Sequence, residues 1–214
     1  MTLPAPYYSH GGITIYHADC RDILPALVES RGKFDLLLTD PPYGIASIWS
    51  KGGARHGWGK AHAQIDERNA WDISPPTRET LDAQRKSTAA QVYWGGNYFE
   101  LPPSRGWLVW NKPERNFSLA EAELAWTSLD MVIRVLDCVR SEPGRTHPTQ
   151  KPMRLMRWCL SFLPEAKTVL DPYMGSGPVA RACKDAGLQY VGIEIVEKYC
   201  EIAVKRLAQE VLAL

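Results

Sequence analysis

The apolar run FDLLLTDPPYGI, residues 34–45, ends by delivering one acid, two prolines and a tyrosine to a single point. If DLLL is a strand that closes at Thr39, Asp40 stands on the ligand-facing edge of a sheet. Pro41 and Pro42 have fixed φ and no N–H, so the Asp40 carboxylate and the Pro41 carbonyl form a group of acceptors without competing proline donors. Such a group suits a donor carrying two hydrogens, and an exocyclic amine such as adenine N6 or cytosine N4 is one. Two acceptors on those hydrogens would draw the amine out of the plane of its ring and free its lone pair for attack, with no general base needed beforehand. Tyr43 offers a stacking surface worth ~1–3 kcal/mol per base. A charge-assisted bond to Asp40 would add roughly 1.5–3 kcal/mol. Together these match the few kcal/mol needed to extrude a base from a duplex. A Pro-Pro turn capped by the acid would explain D-P-P alone, but Tyr43 and the basic segment after it favour the binding reading.

A second stretch, TVLDPYMGSGPVARACKDAG (168–187), reads as strand, glycine turn and helix. Gly175, Gly177 and Ala180 satisfy the G-x-G-x-x-A fingerprint, and Glu194 closes the next strand about 20 residues on, where a ribose diol would be held. Only about 20 residues follow Glu194, too few for the second mononucleotide-binding half of a full dinucleotide fold. One nucleoside with a short tail fits better, and S-adenosylmethionine is such a ligand. Asp171 could accept from its ammonium, and the helix N-terminus would favour its carboxylate by ~0.3–1 kcal/mol.

These residues need strands to carry them. Seven apolar runs (GITIYHA, FDLLLTD, QVYWGG, GWLVWNK, MVIRVLD, KTVLDPY, YVGIEI) are strand candidates. Helix-like segments lie between several of them: CRDILPALVES, SPPTRETLDAQRKSTA, QKPMRLMRWCLSFL, GPVARACKDAG and VEKYCEIAVKRLAQEVLAL. The alternation predicts an α/β fold, a mostly parallel seven-stranded sheet covered by helices on both faces. Ligands gather at the carboxyl ends of such strands. Residues 44–70 break the pattern: Gly- and Ala-rich, with Lys51, Arg55, Lys60 and Arg68, they read as a mobile, DNA-contacting loop longer than a connector needs.

With 214 residues, 45% hydrophobic and 23% charged, the chain has the composition of one globular domain spanning 1–214. No apolar window approaches a membrane span, and the cytoplasm is the expected location. Five scattered cysteines form no CxxC, so neither disulfides nor a metal site are expected, and most should be buried. Of eight tryptophans, Trp107, Trp110 and Trp126 read as core, while Trp94 stands at a strand end near the expected base pocket. The net charge is +1, yet Arg134, Arg140, Arg145, Lys151, Arg154 and Arg157 face only Asp137 and Glu142 across one stretch. That cluster suits a phosphate-binding face.

At this point the sequence resembles the permuted DNA amino-methyltransferases, the group in which DPPY precedes the cofactor-binding glycine turn. The stretches that carry the likeness are ITIYHADCRDILPAL, DLLLTDPPYGI, VYWGGNYF, FSLAEAELAWTS, HPTQKP, VLDPYMGSG and GIEI, from about Gly11 to Leu207. The resemblance implies a Rossmann-like S-adenosylmethionine-dependent methyltransferase sheet with circularly permuted motif order and one antiparallel strand near its edge. It implies that Asp40, Pro41, Pro42 and Tyr43 form the amine site, with Asp171, Tyr173, Gly175, Ser176, Gly177 and Glu194 on the cofactor. By the same likeness Asp19 and Cys20 sit beside the cofactor adenine, and His147, Thr149 and Lys151 line its methionine end. An acid in the first motif position looks like the adenine N6 branch, with cytosine N4 as the alternative. The implied partner is double-stranded DNA with the target base flipped, and a homodimer is compatible. An inactive nucleic-acid-binding protein and an enzyme acting on RNA or on a protein glutamine are the competing readings.

Overall fold

The computed structural model describes residues 3–45, 72, 74–115, 120–140 and 151–209. Among these residues nine strands form one sheet: β1 (Tyr8–His10), β2 (Ile13–His17), β3 (Phe34–Thr39), β4 (Thr88–Trp94), β5 (Trp107–Asn111), β6 (Ala122–Thr127), β7 (Arg134–Asp137), β8 (Thr168–Asp171) and β9 (Gln189–Glu194). Their spatial order is β1-β2-β9-β8-β3-β4-β6-β5-β7. Only β1 and β6 run against the rest.

The expected seven strands therefore become nine, and the single antiparallel strand becomes two. Both additions have physical reasons. β1 is three residues, YSH, with no apolar run to reveal it. β6 is AELAWT, whose Ala, Glu and Leu favour helix when read alone. Pairing with β4 on one side and β5 on the other overrides that preference.

Among the described residues five helices flank the sheet: α1 (Cys20–Arg31), α2 (Arg78–Lys86), α3 (Met153–Leu160), α4 (Pro178–Asp185) and α5 (Glu197–Ala208). Alternation along the strands sorts the core into two layers. Leu36, Leu38 and Val92 join Leu155, Met156, Val179, Ala180 and Ala203 on the α3, α4 and α5 side. Leu37 and Tyr93 join Ile23, Leu24, Leu27 and Leu81 on the α1 and α2 side. Both faces of the central strands are buried, as their continuous apolar runs require.

The middle of the sheet positions the site. From β3 the chain moves to β4 on one side, whereas from β8 it moves to β9 on the other. Between β3 and β8 the winding reverses, and a crevice opens at the carboxyl ends of the two strands. Thr39 Oγ1 donates to Asp171 Oδ1 at 2.7 Å and ties the strand ends together.

Candidate active site

A cleft of about 450 Å³ lies over this switch point. Asp40, Pro42, Asp171, Gly175 and Glu194 line it together, so both sequence motifs open onto one space.

Asp40 leaves the tip of β3 half-buried, its side chain 32% exposed. Its carboxylate is held from both ends: Tyr43 OH donates to Oδ1 at 2.5 Å and Lys151 Nζ to Oδ2 at 2.6 Å. Lys151 also stands 3.2 Å from Tyr43 OH and 3.0 Å from Glu123 Oε2, and its side chain is only 5% exposed. Burial alone would lower the Lys151 pKa, but Asp40 and then Glu123 outweigh it and hold the ammonium above its ordinary range. Burial, followed by the Asp40 charge, pushes the Tyr43 phenol well above its usual value, so it remains a donor.

The turn after Asp40 is clamped from a residue the sequence did not single out. Asp72 Oδ1 accepts from Tyr43 N at 2.6 Å and Gly44 N at 2.9 Å. The Tyr43 ring stacks on Tyr98, with centroids 4.9 Å apart and planes 13° from parallel. Against the same ring lies Gly95, in left-handed backbone at φ +71, where a Cβ would stand 2.1 Å from Tyr43. Tyr98 belongs to a single helical turn, Gly96–Tyr98, and is 46% exposed.

In the other half of the cleft, Asp171 is 1% exposed and accepts from Thr39, from Tyr190 OH at 3.1 Å and from Tyr173 N at 3.3 Å. Burial dominates these bonds and raises its pKa to about 7. Glu194 accepts from Gly175 N and Val196 N, each at 2.8 Å, which fixes the glycine turn to the tip of β9. Gly175 has φ +53, and a Cβ there would meet nothing within 4 Å. Gly177, at φ +75, caps α4 where a Cβ would come within 2.8 Å of Ala203 Cβ. The first glycine keeps the cleft open and the second lets α4 pack on α5.

Asp19, Cys20, Tyr173 and Ser176 also line the cleft. Asp19 caps α1 and pairs with Arg21, while Gln84 Nε2 donates to Tyr173 OH at 3.1 Å. Pro41 is buried beneath the turn. Lys151, expected at the methionine end, lines the cleft and has its ammonium beside Asp40, Glu123 and Tyr43. Trp94, placed near the base pocket, is fully buried at the cleft floor with Lys151 5.8 Å from its ring. Trp110 and Trp126 are core, Trp107 is half-buried, and all five cysteines are buried thiols. His147, Thr149, Arg145 and residues 46–70 of the expected DNA-contacting loop lie outside the described residues. Sequence reasoning missed Asp72, Glu123 and Lys112. Glu123 does fall within the FSLAEAELAWTS stretch, but an acid there reads as a solvated strand end.

A doubly covered, mostly parallel sheet with an acid–Pro–Pro–Tyr turn and a glycine turn on neighbouring strand tips defines the class of nucleoside-cofactor group-transfer enzymes. A family model described as DNA methylase, the N6/N4 methyltransferases, matches residues 66–205. The chain belongs to that family, whose members are S-adenosylmethionine-dependent DNA methyltransferases. It is 40% identical to the putative methylase YubD of Escherichia coli K12 over 196 residues, covering 81% of this chain and 82% of the relative. It is 23% identical to the type II methyltransferase M.ScaI of Streptomyces caespitosus, covering 99% of this chain and 86% of that one. The fold matches the M1.HpyAVI–SAM complex with TM-score 0.56 at 22% identity, over 92% of this chain and 100% of that chain. It matches the cytosine-N4-specific PvuII DNA methyltransferase with TM-score 0.63 at 14% identity, over 97% and 90%.

Proposed function

We propose that this chain transfers a methyl group from S-adenosylmethionine to the N6 amine of an adenine flipped out of duplex DNA. The observation that carries the proposal is the sharing of one cleft by Asp40 and the Gly175 turn, on strand ends joined through Thr39 and Asp171.

The cofactor half fits the group. Two carboxylates, Asp171 and Glu194, face a cleft left open by Gly175. Asp171 would take the cationic ammonium of the amino acid and Glu194 the ribose hydroxyls, with Tyr173, Ser176 and Gly177 shaping the turn between them. Asp19 and Cys20 close the adenine end, and His147 and Thr149 are assigned to the methionine end by resemblance alone. When bound, the cofactor supplies an electrophilic methyl on a positively charged sulfur.

On the acceptor side, Asp40 and the Pro41 carbonyl would receive the two amine hydrogens. Tyr43 and Lys151 keep the carboxylate aimed while the amine is free, and the amine must share or displace their bonds on entry. The proton lost from the methylated nitrogen passes to Asp40. The chain's main contribution is alignment of the two partners and exclusion of water. Adenine is preferred because an acid occupies the first position of the motif. The likeness to the PvuII enzyme concerns the fold alone and leaves cytosine N4 as the alternative outcome. The test is incubation with labelled cofactor and duplex DNA followed by nucleoside analysis. Label in N6-methyladenine is expected; label in N4-methylcytosine would correct the target base, and unlabelled DNA would remove the proposal.

A further inference from the structure

Behind the Asp40–Lys151 pair lies a second pair of charges that the transfer step does not touch. Glu123, the second residue of β6, faces Lys151 with Oε2 at 3.0 Å and accepts from Lys112 Nζ through Oε1. Lys112 follows directly on β5, is 5% exposed, and lies 4.4 Å from the centroid of Trp110. Four charges thus alternate in sign from the interior to the cleft: Lys112, Glu123, Lys151 and Asp40. Buried charges are costly unless paired, so a row of four with zero net charge is a constrained arrangement. It ends on the carboxylate assigned to the amine.

We propose that Glu123, set by Lys112, is a positioning residue for methyl transfer: it anchors Lys151 so that the lysine orients Asp40 and keeps its charge available to the reacting nitrogen. This rests on the amine-site reading given above. Lys151 Nζ donates to Asp40 Oδ2 and to Tyr43 OH, and it forms an ion pair with Glu123 Oε2 at 3.0 Å. Anchoring by Glu123 is what keeps the ammonium from following the carboxylate into the cleft. Its negative charge also matters during reaction, because positive charge moves from sulfur to the amine nitrogen. Neutralising Glu123 would leave the row with a net charge of +1 beside that nitrogen, opposing the transfer without touching either ligand.

The groups that face Lys151 are Asp40 and Tyr43 after β3, Glu123 on β6, Lys112 after β5 and Cys159 on α3. Asp40 and Glu123 hold its proton, and Lys112 opposes it. Removing the Glu123 charge therefore takes away one anchor of the ammonium, and removing the Lys112 charge leaves Glu123 without its second cation.

The experiment is single-turnover methylation of duplex DNA by the full chain, with cofactor affinity by calorimetry and melting temperature recorded beside it. Glu123→Gln is expected to lower the transfer rate at least about tenfold and leave cofactor affinity unchanged; Glu123→Asp restores the rate toward wild type. Lys112→Met, which leaves Glu123 without its second cation, is expected to lower the rate at least about threefold with cofactor affinity again unchanged, so the claim stays testable if the glutamine variant fails to fold. A wild-type rate in Glu123→Gln or in Lys112→Met, or a Glu123→Asp rate no better than that of Glu123→Gln, would overturn the inference while leaving an active wild-type enzyme. A wild type that methylates no DNA would instead sink the amine-site reading itself.

Discussion

Asp40 sits where two requirements conflict. A carboxylate that must accept from a substrate amine has to be open to the cleft, yet an open, unpartnered acid would rotate freely. Tyr43 and Lys151 resolve this by holding one oxygen each. Lys151 is the more sensitive partner, because its side chain is nearly inaccessible and its removal leaves Asp40 and Glu123 facing each other. Lys151→Met is expected to cost about 3–5 kcal/mol of stability, the usual penalty for breaking a buried pair from one side. Urea unfolding of wild type and variant measures it, and a loss under about 1 kcal/mol would contradict the assigned burial.

Asp171 gives a pH signature. Its pKa is raised from 3.8 to about 7 in the folded chain, so between those values the folded state binds more protons than the unfolded one. Stability from this residue is therefore greatest at low pH and falls as pH rises through that window, then levels off. Comparing melting temperatures of wild type and Asp171→Asn from pH 5 to 8 should show the wild type losing ground as pH rises. Cofactor affinity should move the other way, tightening as the carboxylate ionises to meet the ammonium. A difference in melting that does not vary with pH would show that Asp171 titrates normally.

At the scale of elements, the strand ends and their turns place the chemistry. The runs at β3, β8 and β9 were legible because strands buried on both faces must be continuously apolar, and the glycine turn because its spacing is dictated by backbone approach. β1 and β6 were not, since three polar residues and an Ala-Glu-Leu run carry no strand pattern until neighbours pair with them. The amine motif was legible as residue types, but its partners were not: Asp72 lies 29 positions from Tyr43, and Lys151 lies 111 from Asp40. Charges that look solvated in sequence become an ordered row only when β5, β6 and the segment before α3 converge. The turn after β4 offers a direct check on this convergence. Gly95→Ala places a Cβ 2.1 Å from the Tyr43 ring on left-handed backbone, so the ring must move. Methylation should fall sharply with a lowered melting temperature, whereas Gly175→Ala, whose Cβ meets nothing, should weaken cofactor binding more than it lowers melting. Equal behaviour of the two variants in both assays would contradict the separate roles given to these turns.

At the scale of the molecule, the sheet reverses its winding between β3 and β8 and opens a cleft onto which both sequence motifs face. The order of motifs along the chain is immaterial to that arrangement. What matters is that β3 and β8, separated by well over a hundred residues in sequence, lie side by side with Thr39 bonded to Asp171. Asp40 is the group proposed to meet the substrate amine. The most direct test of that role is single-turnover transfer by Asp40→Ala, with cofactor affinity measured on the same preparation. A rate at least about 100-fold below wild type is expected, the lower range for a group placed to handle a proton in the transition state, with cofactor affinity near that of the parent. Transfer at the wild-type rate by a protein lacking this carboxylate would contradict it.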